Sequence, residues 1–153
     1  MNDSLSRALV SARVTVRDRR SVTLFARTHE VTVGPVLSFD AREPRLTGIE
    51  HLLAAVAADV VGGFCRLADR RRLVVDEIEA VLKGEIADPL VHLGVVGVEG
   101  APRLARLEVR VFAGSSEPDS RLRPLWEEML HRAPVINTLR PSVELDLHFQ
   151  ITG

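Results

Sequence analysis

A single cysteine, Cys65, occurs in the 153 residues, and this excludes an internal disulfide. Lysine is as scarce: Lys83 is the only one, so nearly all the positive charge is arginine. The formal net charge is −1 and the pI is near 6.5, so no general basic field exists to condense on nucleic acid or anionic lipid. No nucleic-acid partner is expected. Residues Met1 to Arg7 lack the pattern of a secretory signal, and a cytoplasmic location is expected. Phosphate-cradling glycine loops, a Ser-His-Asp order and a dinucleotide fingerprint are all missing. The five histidines, His29, His51, His92, His131 and His148, offer no paired spacing such as His-x-x-x-His. Neither a metal nor a cofactor is therefore expected.

What is present is an ordinary globular composition, 46% hydrophobic and 27% charged, which argues against disorder and against a fibrous repeat. A chain of this length buries roughly 70% of the surface that its unfolded form exposes. With no internal repeat and no linker, residues 1–153 read as one domain.

The central feature is a nearly all-apolar stretch from Leu52 to Cys65 whose only charge is Asp59. Thr47 and Glu50, three residues apart, form a capping box at its start and predict a helix. About fourteen apolar residues are too few for a bilayer, which needs ~20, so no membrane span is expected. A helix apolar on every side is buried on every side. A two-layer domain covers only one side of it, so a second helix or a second copy of the chain is expected on the other. Gly62-Gly63 weakens the helix and marks a tight crossing. The Arg70-Arg71-Arg72 run that follows reads as solvated charge at a helix C-terminus.

Period-two alternation places strands around this helix. Ala12, Val14 and Val16, then Val22 and Leu24, flank Arg17-Asp18-Arg19-Arg20 as a charged hairpin, and Glu30 to Val33 supplies a third strand. Leu73 to Lys83 follows as a strand, then a long glycine- and proline-rich excursion from Gly84 to Pro102, with a short strand or turn at Val91 to Val98. Leu107, Val109 and Val111 mark the next strand. Pro118-Asp119-Ser120 opens an amphipathic helix carrying Leu122, Leu125, Trp126, Met129 and Leu130, which Pro134 ends. Val143, Leu145, Leu147, Phe149 and Ile151 form the closing strand. The fold class is α+β.

Asp59 is the sharpest chemical signal, because a carboxylate in apolar surroundings needs a cation or several donors, or else a raised pKa. Two readings stand. It is an acid, base or ligand anchor in a pocket, or a structural carboxylate held by an arginine, a backbone amide or water.

The segments Leu52-Leu53-Ala54-Ala55-Val56-Ala57-Ala58-Asp59 and Ala133-Pro134-Val135-Ile136-Asn137-Thr138-Leu139 together resemble the OsmC/Ohr family of hydroperoxide-detoxifying proteins. In that family a leucine- and alanine-rich helix ends in Ala-Ala-Cys, and a later segment reads Cys-Pro-Val followed by Thr-Leu. The resemblance implies an OsmC-like two-layer fold: antiparallel sheets, a buried central helix, a second amphipathic helix and an intertwined homodimer. It also implies that the first cysteine attacks a peroxide and the second resolves the sulfenic acid as a disulfide. Those two positions carry Asp59 and Ala133 here. A carboxylate and a methyl group cannot form a sulfenic acid. The family's supporting glutamate lies ten residues before the reactive cysteine in the organic-hydroperoxide branch; Glu50 lies nine before Asp59, a shift of one residue from the family position, or about 100° around a helix. Its supporting arginine lies near the N-terminal strands, where Arg17, Arg19, Arg20 and Arg27 compete.

Three functions follow from the sequence. The first is an OsmC-like homodimer that has lost thiol peroxidase chemistry and keeps a dimer-interface pocket for a small molecule, with Asp59 and Glu50 as its candidate residues. The second is a one-thiol peroxide-detoxifying enzyme using Cys65, six residues after Asp59 and about 240° around the helix. The third is a non-catalytic structural or interaction dimer.

Overall fold

The alternation on either side of residues 17–20 becomes the first two strands of a β-meander. In the computed structural model, which describes residues 7–16 and 21–152, strands β1 (Arg13–Val16), β2 (Val22–Ala26) and β3 (His29–Val33) pair antiparallel in that order. The register sets Val14 opposite Leu24, and Leu24 opposite Val31. The charged connection with Arg17, Arg19 and Arg20 lies outside the described residues. Arg27 sits in the β2–β3 turn with a left-handed φ of 54°. After β3 the chain is pinned by Gly34 N–H to Leu46 O (2.9 Å) and Gly48 N–H to Pro35 O (3.0 Å).

Helix α1 then starts at the predicted capping box: Thr47 N–H donates to Glu50 Oε2 (2.7 Å) and Glu50 N–H to Thr47 Oγ1 (3.2 Å). Two donors that a helix start leaves unpaired are satisfied reciprocally. The helix runs from Gly48 to Arg71, well past Cys65, because Leu67 and Ala68 continue the buried stripe of Val56, Val60 and Phe64. Arg72 ends it in a left-handed conformation, with Arg72 N–H bonded to Asp69 O and Leu73 N–H to Ala68 O, both at 3.0 Å. This is the Schellman arrangement, with arginine where glycine is usual.

By length and composition alone the 24-residue α1 could cross a membrane. Within the chain 28% of its most apolar window is buried, along one stripe. Phe64 meets Phe149 with ring centroids 5.0 Å apart and Trp126 at 6.4 Å. The expectation of burial on every side is corrected: one stripe is buried, while Ala54, Ala55 and Ala58 are exposed in the single chain.

The chain falls into two compact units, Met1–Leu52 and Leu53–Gly153. The second contains most of α1, then β4 (Glu77–Ala87), α2 (Pro89–His92), β5 (Arg103–Gly114), α3 (Asp119–Arg132), α4 (Pro134–Leu139) and β6 (Glu144–Thr152). Its sheet order is β4-β5-β6. The first pair is antiparallel, as expected, but β5 and β6 run parallel. The α3–α4 segment between them is a crossover long enough to return the chain to the same end of the sheet, which a hairpin cannot do. The excursion is shorter than expected, since β4 passes through Gly84 to Ala87 and only α2 and turns fill the stretch before β5. A Cβ at Gly84 would lie 3.0 Å from Leu104 Cδ1; here glycine lets a neighbouring side chain lie over the strand.

The core of this unit gathers Phe64, Leu107, Val109, Val111, Leu122, Met129 and Ile136, each 2% exposed or less. Trp126 stacks on Phe149 at 5.0 Å and 12°, so three aromatic rings tie α1, α3 and β6 together. A buried side chain of this size contributes roughly 1.5–3 kcal/mol. Pro134 does end α3, as predicted, but it also opens α4. Proline is tolerated at the first helical position, where its missing N–H would be unpaired anyway.

Candidate functional site

Helix α4 begins with a defect. Its N-cap position is Ala133, whose backbone is extended (φ −78°, ψ 105°) and whose methyl group makes no capping hydrogen bond. The donors it leaves open are the N–H groups of Val135 and Ile136. Both donate to one oxygen from another helix, Asp59 Oδ2, at 2.8 and 3.1 Å. A side-chain oxygen on the second and third N–H groups is the usual geometry of an N-cap, and a carboxylate there is favoured by the helix dipole. Asp59 thus caps a helix that starts 75 residues later in the chain. The donors that its position in an apolar helix calls for are backbone amides.

Asp59 also faces a cleft of about 180 Å³ within the second unit, lined by Gly63, Arg66, Leu67, Arg70, Met129, Arg132, Ala133 and Pro134 as well. Asp59 and Ala133, the two positions matched to cysteines, therefore share one cleft. Gly63 provides the tight crossing expected of the glycine pair, because a Cβ there would stand 3.1 Å from Met129 Cγ of α3. The cleft is smaller than the roughly 300–1,000 Å³ that drug-sized ligands occupy.

The other candidates lie elsewhere. Glu50 belongs to the first unit, where its carboxylate is engaged by the cap of α1. The Thr47 N–H, and after it the Thr47 hydroxyl, hold the Glu50 carboxyl below its ordinary pKa, with His51 adding in the same direction. Cys65 is half-buried and free. Burial and then the Asp69 carboxylate push its thiol above the ordinary range, and Arg66 offsets this only in part. Such a thiol is a poor source of thiolate. Arg27 is exposed at its hairpin turn in the first unit.

The cations beside Asp59 are Arg66, Arg70 and Arg132, which sequence reasoning did not select. Arg66 and Arg70 follow Asp59 at i+7 and i+11, the spacing of one helix face. That periodicity was the available signal.

One further polar group stands on the β5–β6 pair. Ligand-type atoms of Glu108, Asp146 and His148 lie within 4.8 Å of one another. Arginines already neutralise it, Arg110 pairing with Glu108 and Arg106 Nη2 with Asp146 at 2.9 Å, while His148 Nε2 meets Asp146 at 2.7 Å.

No family profile and no curated protein matches the sequence. Solved structures do match. An OsmC-like protein from Mycoplasma pneumoniae superposes with a TM-score of 0.78 at 12% identity, over 95% of this chain and 99% of that one. An organic hydroperoxide resistance protein from Elizabethkingia anophelis gives 0.70 at 15%, over 95% and 99%. The organic hydroperoxide resistance protein OhrB of Bacillus subtilis gives 0.60 at 18%, over 93% and 99%. At such identities the likeness speaks for the fold, and the chain has the OsmC-like fold.

Proposed function

We propose that this OsmC-like chain is a divergent member of the OsmC/Ohr family that has lost cysteine-based hydroperoxide reduction and keeps the cleft beside Asp59 as a binding site for a small molecule. One observation supports this above others: Asp59 and Ala133 line the same cleft, yet carry a carboxylate and a methyl group. Peroxide reduction by a thiol needs a thiolate to attack the O–O bond and become a sulfenic acid, then a second thiol to resolve it. Neither side chain can take either role. The carboxylate is moreover occupied, since one of its oxygens accepts two backbone N–H groups.

The one-thiol reading through Cys65 has little chemical support. Its pKa is shifted away from the thiolate, and it does not line the cleft.

The chain is proposed to act as a cytoplasmic homodimer. The exposed alanines of α1, Ala54, Ala55 and Ala58, offer a flat face on which a second helix can approach closely. An interaction dimer with no ligand remains the second reading, favoured by that same face.

Incubating the purified protein and its Cys65→Ser variant with an organic hydroperoxide and a dithiol tests the proposal. Neither should consume the peroxide beyond the uncatalysed rate. Consumption that survives in Cys65→Ser would overturn the loss of activity, and consumption that disappears in it would favour the one-thiol enzyme.

A further inference from the structure

Asp59, Gly63, Arg66 and Arg70 form one face of α1, and all four line the cleft. Opposite stand Met129 and Arg132 of α3, followed by Ala133 and Pro134. The charges in this space are unequally engaged. Arg132 Nη2 is met by Glu128 at 2.8 Å, and Glu128 is shared with Arg71 at 2.5 Å. Asp59 spends one oxygen on the start of α4. Among the described residues, Arg66 and Arg70 make no ion pair. The cleft is therefore lined by two exposed arginines without ion-pair partners among the described residues, beside an apolar wall of Leu67, Met129 and Pro134.

Gly62 supplies an independent observation. A long cation on a helix surface ordinarily extends into water and keeps its rotamer freedom. Arg66 is exposed, and its guanidinium also folds back along the helix, so that a Cβ at Gly62 would lie 3.2 Å from its Nη1, and one at Gly63 would lie 3.9 Å from its Nη2. Gly63 is accounted for by the crossing with Met129. Gly62 meets no other neighbour within 4 Å, although glycine weakens a helix interior relative to alanine. What its missing Cβ provides is the seat of the Arg66 guanidinium.

We propose that the cleft binds a small phosphate monoester, its phosphate held by Arg66 and Arg70 and its short organic body resting on Leu67, Met129 and Pro134. A phosphate monoester fits better than a monocarboxylate because two guanidinium groups are free, and guanidinium forks match phosphate oxygens in paired hydrogen bonds. The volume of the cleft, about 180 Å³, suits an organic body of a few carbons. The inference rests on the proposed small-molecule site and adds the chemical class of its ligand.

Isothermal titration calorimetry with butyl phosphate, inorganic phosphate and 1-butanol tests it on the full chain. Butyl phosphate should bind more tightly than inorganic phosphate, and 1-butanol should give no binding. Arg66→Gln and Arg70→Gln should each weaken butyl phosphate at least tenfold. Gly62→Ala should weaken it severalfold while leaving the melting temperature unchanged or higher, an outcome that separates a lost seat for Arg66 from a damaged fold. Equal binding of 1-butanol and butyl phosphate would sink the phosphate inference and leave the pocket standing. No binding of either would remove both. Butyl phosphate binding that ignores Arg66→Gln and Arg70→Gln would also overturn the assignment.

Discussion

The Asp59 carboxylate accepts the backbone N–H of Val135 at 2.8 Å across 76 residues of sequence, and with the neighbouring bond from Ile136 it caps a helix whose own N-cap, Ala133, cannot. Residues 59 and 133 are thus coupled in the fold. The carboxylate at one position supplies what the methyl group at the other withholds.

Arg72→Gly should stabilise the protein. Arg72 holds φ 53° at the end of α1, where the Cβ of an L-residue costs roughly 1–2 kcal/mol and glycine has no such cost. Glycine's greater freedom in the unfolded chain offsets part of the gain. The midpoint of urea unfolding should rise by an amount equivalent to about 1 kcal/mol; an unchanged or lower midpoint would mean that the Arg72 side chain makes a compensating contact.

The two glycines of α1 should respond oppositely to alanine. Gly62→Ala gains up to about 1 kcal/mol of helix propensity against one flexible arginine tip at 3.2 Å. Gly63→Ala forces its Cβ toward Met129 Cγ at 3.1 Å, and Met129 is 2% exposed. Overpacking of that kind costs typically 1–3 kcal/mol, so a net loss of roughly 1 kcal/mol is expected. Thermal unfolding of the two variants side by side decides this.

Acid should destabilise the chain through its hydrogen-bonded carboxylates. Glu50 and Asp146 both have lowered pKa values, the first through the Thr47 N–H and the second through Arg106. A carboxyl whose folded pKa lies below its unfolded value binds its proton more readily when unfolded. Its contribution is complete above the unfolded values, ~4, and disappears as pH falls through the lower, folded ones. Unfolding midpoints should hold steady above about pH 5 and drop below about pH 4. The drop should be shallower in Glu50→Gln, whose amide does not titrate; an identical acid profile would show that Glu50 contributes nothing to it.

Cys65 should behave as an inert thiol. Because burial and Asp69 raise its pKa, an aromatic disulfide reagent should modify it slowly at neutral pH in the folded protein and much faster in denaturant. Rapid stoichiometric reaction in the folded state would revive the one-thiol enzyme.

Much of this was readable from the sequence, and what was not has definite physical causes. Thr47 and Glu50 marked the start of α1 because a capping box is local chemistry, confined to one helical turn. Val143 to Ile151 and Leu122 to Leu130 showed their elements because one buried face imposes a period of two or 3.6. Strand direction carries no such period, so the parallel pairing of β5 and β6 was invisible. Helix α4 was missed because a proline that stops one helix looks the same as one that starts the next. The partners of Asp59 were beyond reach for a different reason: backbone N–H groups have no sequence signature, and they come from 76 and 77 residues away. Arg66 and Arg70, by contrast, were in view at i+7 and i+11 from Asp59. Reading Arg70 only as terminal charge on α1 hid the face that it shares.

The central structural claim, that Asp59 caps α4 where Ala133 cannot, is tested most directly by a double-mutant cycle in urea unfolding between Asp59→Ala and Ala133→Ser. Asp59→Ala alone should cost about 1–2 kcal/mol, since it strips a cap from two N–H groups. Ala133→Ser should change little in the wild-type background, where those donors are already bonded. In the Asp59→Ala background it should restore about 1 kcal/mol, because the extended backbone of residue 133 lets a serine hydroxyl cap the helix locally. A coupling of that size between the two positions is the predicted result. Additive effects, or an Asp59→Ala variant as stable as the wild type, would contradict the account.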